Sequence, residues 1–196
     1  MKYSYKYEMF SKVLKGLIKE NYTKDELTRI SKEYKEIMIR AKDIGSSNNL
    51  IVSYLLAAYF IAMNRMTTKT PEENYEILKS GLSKSKLLKL GLGDSKSYLA
   101  EKKMEFRRNW AKESKNKKYE NDWVEDFIEK DDKYEFGIDY LECGVCKLCK
   151  DENCFELAKY MCKLDFMLAE LIGLKLTRTK TLAEGFDKCD FRYSKK

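Results

Sequence analysis

The stretch MCKLDFMLAELIGLKLTRTKTL, residues 161–182, changes period at its centre, and that change decides the fold. Up to Gly173 its apolar residues recur at helical spacing: Leu157, Met161, Leu164, Leu168 and Leu171 form one stripe, four and three residues apart. Beside that stripe runs a second, Ala158, Cys162, Asp165, Ala169 and Ile172, so a thiol and a carboxylate share one helix face, flanked by alanines. After Gly173 the pattern alternates, as expected of a strand. A buried helix running into a strand is therefore expected here.

Outward from this point, the segment CDFRY (189–193) reads as the partner strand of a hairpin, separated from LKLTRTKTL (174–182) by AEGFDK. Upstream, DWVEDFIE (122–129), the polar turn KDDK and YEFGIDYLEC (134–143) read as another antiparallel hairpin, with Tyr134, Phe136, Ile138 and Tyr140 on one face. A Cys-rich loop is expected between the first hairpin and the buried helix. These elements predict an α+β fold: a helical N-terminal half packed on an antiparallel sheet of about four strands, with one buried helix between the two hairpins.

The first half, residues 1–116, is mainly helical. Phe10, Val13, Leu14, Leu17 and Ile18 mark one helix; Thr23 with Glu26 forms a capping-box signature for a second, expected to end near Gly45. Asn48 or Asn49 is placed to cap a third, apolar helix. Thr70-Pro71-Glu72-Glu73 opens a fourth, with a cap, a proline at the first position and acids in the first turn. Gly81, Gly91 and Gly93 are expected to divide the chain beyond that start into short pieces, before a charged helix over about 95–115. The whole chain, 1–196, is read as a single domain, with 117–196 carrying the sheet.

Charge and composition narrow the function classes. The formal charge is +7, yet only 7 of the 39 basic residues are Arg, and the Lys residues are spread among 32 acids, which describes a solvated surface rather than a nucleic-acid groove. The densest cluster, Arg107, Arg108, Lys112, Lys115, Lys117 and Lys118, is interrupted by Glu113. The N-terminal MKYSYKYEMF has no apolar signal region, and the longest apolar run, LIVSYLLAAYFIAM (50–63), is too short for a bilayer. The expectation is a cytoplasmic protein with a small-molecule substrate and neither nucleic acid nor membrane as partner; oligomeric state is left open.

The chain has six cysteines and no histidine. The Ser-His-Asp triad, the Cys-His dyad and every His-ligated zinc site are thereby excluded. Cys143, Cys146, Cys149 and Cys154, spaced C-x2-C-x2-C-x4-C, approach a ferredoxin run but with the last interval one longer and no proline after it. A Cys-only zinc site, an iron-sulfur site and free loop thiols all remain open for them, so a metal is left unknown. For Cys162 and Asp165 the plain alternative is a thiol acting as a small hydrophobe and a carboxylate reaching solvent or a nearby backbone group. Their small neighbours leave room for a ligand.

The ordered set of Cys143 and Cys146, then Cys162 and Asp165 in MCKLD, then LTRTKTLAEGFDKCDFRY resembles the L-2-amino-thiazoline-4-carboxylic acid hydrolase family over about residues 120–195. The closing G-x3-C-x-F, Gly185 to Phe191, also resembles vinyl-reductase-type ligand-binding domains, whose α+β fold packs an antiparallel sheet against helices. The first resemblance implies hydrolytic opening of a thiazoline to a carbamoyl amino acid, without a cofactor; the second implies a non-catalytic small-molecule or metal-binding domain. Under the hydrolase resemblance Cys162, Asp165 and Cys189 are the candidate catalytic residues, with Arg178, Thr179, Thr181, Gly185 and Arg192 as substrate-binding candidates. Either Cys162 attacks the ring carbon and water resolves the adduct, or Asp165 directs water at that carbon. Arg178 and Arg192, on the two strands of the last hairpin, are the candidates for the substrate carboxylate. Strand alternation puts Arg178 and Lys180 on one face and Thr177, Thr179 and Thr181 on the other; ordinary strand packing explains the threonines and Cys189 equally well.

Overall fold

The computed structural model describes residues 4–45 and 47–196; Met1, Lys2 and Tyr3, the start of the polar N-terminal stretch, and Ser46 lie outside the described residues. The first half is helical: α1 (Tyr5–Ile18), α2 (Lys24–Arg40), α3 (Ile51–Met66), α4 (Pro71–Lys84), α5 (Lys86–Leu92), α6 (Ser95–Tyr98) and α7 (Glu101–Ser114). Both expected capping boxes form, Thr23 with Glu26 at α2 and Thr70 with Glu73 at α4, each threonine accepting the N–H three residues on while the glutamate answers the cap's own N–H. Helix α3 is central, with every side chain from Tyr54 to Met63 buried, which is why its sequence shows an apolar run without a polar face. Among the described residues no helix is long and apolar enough to cross a membrane.

Several boundaries differ from the sequence reading, each for a local reason. Helix α2 stops at Arg40 rather than near Gly45, because Ala41 turns extended and Ala41 and Ile44 are buried outside the helix. Asn48 serves α3 from two residues before its cap: its side-chain oxygen accepts the Leu50 N–H at 2.8 Å. Gly81 does not break α4 but lets α1 approach, since a Cβ there would stand 3.0 Å from the Leu17 carbonyl oxygen. The charged helix expected over 95–115 is split at Leu99 and Ala100 into α6 and α7.

The second half contains β1 (Val124–Ile128), β2 (Phe136–Glu142), α8 (Gly144–Asp151), α9 (Ala158–Leu171), β3 (Leu174–Thr177) and β4 (Cys189–Lys195). The strands form one antiparallel sheet in the order β1-β2-β4-β3, so the two sequence hairpins are joined through the β2–β4 pairing, with Ile138 opposite Phe191 and Tyr140 opposite Cys189. The expected α+β class, helices against a four-stranded antiparallel sheet, is what the chain adopts. The Cys-rich segment, expected as a loop, is largely helix α8; Val145, Cys146, Leu148 and Cys149 are its buried face.

Two apolar cores meet at the sheet. One lies among α1–α4, α8 and α9; the other lies between the sheet's inner face (Phe136, Ile138, Leu174, Leu176, Cys189, Phe191, Tyr193) and Met104, Ala169 and Ile172 of the covering helices. Tyr140 and Leu182 pack against both. Helix α9 therefore uses both of its stripes, Met161 and Leu164 toward the helices and Ala169 and Ile172 toward the sheet. Cys162 and Asp165 belong to the second stripe, and the fold points them at the last hairpin.

Candidate functional site

The space expected beside Cys162 and Asp165 is occupied by the chain itself. Arg178 donates from Nη1 to Asp165 Oδ2 at 2.9 Å and from Nη2 to the Cys162 carbonyl oxygen at 3.0 Å. Its guanidinium also lies 4.9 Å from the ring centres of both Phe166 and Phe191. The arginine side chain is only 6% exposed, whereas Asp165 keeps 32% of its side chain at the surface. Burial lifts the Asp165 carboxyl to about 6 despite Arg178, which pulls the other way. Burial and the neighbouring Asp165 push the Cys162 thiol far up, so it rests protonated.

The remaining candidates separate. Cys189 is buried on β4, its sulfur accepting the Leu182 N–H at 3.2 Å, and burial pushes its thiol up to about 12. It shares the electrostatic neighbourhood of Cys143, Asp165 and Arg178. Arg192 does not join Arg178: it donates to Asp139 Oδ1 at 2.7 Å and to the Phe191 carbonyl, and β4 alternation puts it on the sheet face opposite Phe191 and Tyr193. The expected alternation of Arg178 to Thr181 along a strand does not occur, because β3 ends at Thr177. The N–H groups of Thr179 and Lys180 go instead to the Asp190 carboxylate, as does the Thr179 hydroxyl at 2.6 Å. Thr181 is buried and caps the 3-10 turn Leu182–Glu184, accepting the Glu184 N–H and donating to the Glu184 carboxylate. Gly185 ends that turn at φ +88°, with nothing within 4 Å of where a Cβ would stand.

Gly185 also leads to a cavity. A cleft of about 460 Å³ is lined by Cys143, Cys146, Lys150, Phe155, Leu182 and Gly185, together with Leu141, Glu142, Lys147 and Phe186. This lies within the range of small-molecule sites. Neither Cys162 nor Asp165 lines it. By spacing alone the C-x2-C pair reads as part of a metal ligand set or as free loop thiols. The signal for a different geometry is its position between β2 and a segment with helical burial spacing at Val145, Cys146, Leu148 and Cys149.

Cys143 is the extended residue at the N-terminal end of α8, and its side chain makes no hydrogen bond to the N–H groups of the first turn. The neighbouring Cys146 thiol, with the start of the helix at Val145 and Cys146, lowers the Cys143 thiol from its usual range, although burial and Asp165 oppose this. Cys146 is correspondingly pushed far up and stays a thiol. Two cations border the cavity. Lys147 is committed to Glu142 and to the carbonyls of Glu120 and Asp122. Lys150 lies 5.0 Å from the Phe155 ring centre, and no carboxylate pairs with it among the described residues.

Cys149 and Cys154 form a separate pair, in which the Cys154 N–H donates to the Cys149 carbonyl at 2.8 Å and each thiol shifts the other. The four clustered cysteines thus divide into two couples, and among the described residues no three Cys, Asp or Glu side chains converge as metal ligands would.

No curated protein and no solved structure matches the chain. The family model of L-2-amino-thiazoline-4-carboxylic acid hydrolase matches residues 48–193, from just before the cap of α3 into the last strand, and so takes in α8, α9, both thiol couples and the cavity. The chain belongs to the L-2-amino-thiazoline-4-carboxylic acid hydrolase family.

Proposed function

We propose that the chain hydrolyses a small cyclic amidine or thiazoline carboxylate, in the manner that its family's name describes, and that the reaction takes place in the α8 cavity with Cys143 as nucleophile. The observation that carries this reading is the Cys143 sulfur. It is the one described thiol that lines the cavity and is lowered from its ordinary range, chiefly by the neighbouring Cys146 thiol. Cys162, the nucleophile expected from the helix pattern, is protonated, outside the cavity lining, and next to a carboxylate already bound to Arg178.

The chemistry follows from these positions. The Cys143 thiolate adds to the ring carbon that carries sulfur and two nitrogens; the carbon–sulfur bond of the ring then breaks, leaving an isothiourea on Cys143 and a free thiol on the former ring. Cys146, held as a thiol beside Cys143, supplies the proton that the departing sulfur needs. Water then adds to the same carbon, Cys143 leaves, and Cys146 regains its proton, so that one ring and one water yield one carbamoyl amino acid. Asp165 raises the Cys143 thiol, but its charge is paired with Arg178 and it stands outside the cavity lining. Lys150 takes the substrate carboxylate, a role that Arg178 and Arg192 cannot fill because Asp165 and Asp139 hold their guanidiniums.

The test is incubation of the protein with L-2-amino-thiazoline-4-carboxylate while free thiol is counted. One thiol per ring opened is expected. Absence of thiol release from this compound and from ring-substituted thiazoline carboxylates would end the hydrolytic reading.

A further inference from the structure

We propose that the Cys143–Cys146 couple is a site of thiol–disulfide exchange, at which disulfides of small carboxylate-bearing thiols oxidise the two cysteines to an intramolecular disulfide. The inference shares the cavity, Cys143, Cys146 and Lys150 with the hydrolytic reading but needs no thiazoline and no ring opening, so either can stand if the other fails.

Three observations bear on it. Cys143 and Cys146 are one helical turn apart at the start of α8, where side chains three residues apart are neighbours, and each thiol is the strongest influence on the other. Both line the same cavity, which is large enough for a small amino-acid disulfide. The cavity also contains Lys150, a cation without a carboxylate partner among the described residues, where an incoming carboxylate can rest. The other thiols lack one or more of these features. Cys162 and Cys189 do not line the cavity, and the Cys149–Cys154 couple is buried away from it.

The exchange balances in two steps. The Cys143 thiolate attacks one sulfur of the small disulfide; that S–S bond breaks, one small thiol departs with a proton, and a mixed disulfide remains on Cys143. Cys146 then gives up its proton and attacks the Cys143 sulfur, releasing the second small thiol. Two protein thiols are oxidised and one disulfide is reduced to two thiols. A thiolate at a helix N-terminus with its resolving thiol one turn later suits both steps.

The test uses the reduced full chain with cystine as the probe, read by mass spectrometry and peptide mapping. The expected result is loss of two thiols, with the new disulfide mapped to Cys143 and Cys146 and reversed by dithiothreitol. Cys146→Ser should stop at a mixed disulfide on Cys143, whereas Cys149→Ser should leave the rate within about twofold of the parent. Uncharged hydroxyethyl disulfide should react at least about fivefold more slowly than cystine, and Lys150→Ala should abolish that difference. Oxidation mapped to Cys162, Cys189 or the Cys149–Cys154 couple, or no reaction of the folded chain, would overturn the proposal. Equal rates with the two disulfides would overturn its assignment to carboxylate-bearing partners. No thiazoline enters the reaction, so neither result depends on hydrolysis.

Discussion

The start of α8 and the middle of α9 each set a cysteine in the same electrostatic neighbourhood, and the two thiols are pushed in opposite directions. At α8 the sulfur of Cys143 meets the neighbouring Cys146 thiol and an open cavity; at α9 the sulfur of Cys162 meets burial and a carboxylate whose partner, Arg178, also holds the helix carbonyl. The cations differ in the same way. Lys150 borders the cavity without a carboxylate, while Arg178 is closed in by Asp165, Phe166 and Phe191. A thiol beside a charge therefore has no fixed meaning. What faces the sulfur decides between a nucleophile and a piece of packing.

The largest effect expected from this contrast is catalytic. Cys143→Ser should lower kcat/KM for thiazoline opening by roughly 10²–10⁴-fold, while Cys162→Ser should remain within about threefold of the parent. Steady-state assays of the two variants side by side break the comparison if their order is reversed.

The next effect is on stability. Arg178→Met leaves Asp165 without its partner and should cost about 3 kcal/mol in urea unfolding near neutral pH, at the low end for a buried pair because a third of Asp165 is exposed. The pH dependence has a definite sign. Burial already raises the Asp165 carboxyl in the folded state to about 6, and loss of Arg178 raises it further, so the folded chain holds the proton more tightly than the unfolded one. The penalty is accordingly largest above about pH 6 and shrinks as pH falls through that value, because a neutral carboxyl needs no cation. Unfolding curves for the parent and the variant at about pH 5 and about pH 7.5 measure this. A penalty that grows on acidification contradicts it.

The smallest effect belongs to the other cation. Lys150→Ala should raise KM for a thiazoline carboxylate about tenfold, equivalent to about 1.4 kcal/mol, with little change in kcat or Tm. A change in Tm without a change in KM would make Lys150 structural, like Arg178, and erase the distinction.

Much of the architecture is legible in the sequence because it rests on local chemistry. The capping boxes at Thr23 and Thr70, the strand alternation of Phe136, Ile138 and Tyr140, and the two stripes of α9 are patterns that a few neighbouring residues determine. The pattern misleads where a distant partner overrides it. The alternation of TRTKT is strand-like, yet Asp190 of β4 captures the N–H groups of Thr179 and Lys180 and ends the strand. The alanines beside Cys162 and Asp165 suggest space for a ligand, and Arg178, thirteen residues beyond Asp165, occupies it.

By itself, the sequence determined the α+β class, the position of the helix between the hairpins and the confinement of any nucleophilic chemistry to a chain without histidine, since periodicity and residue inventory need no knowledge of distant contacts. Only the tertiary structure decided which cysteines border the cavity. Proximity along the chain set Cys162 beside Asp165, but access depends on contacts in three dimensions, and folding set Cys143 and Cys146, not Cys162, at the cavity.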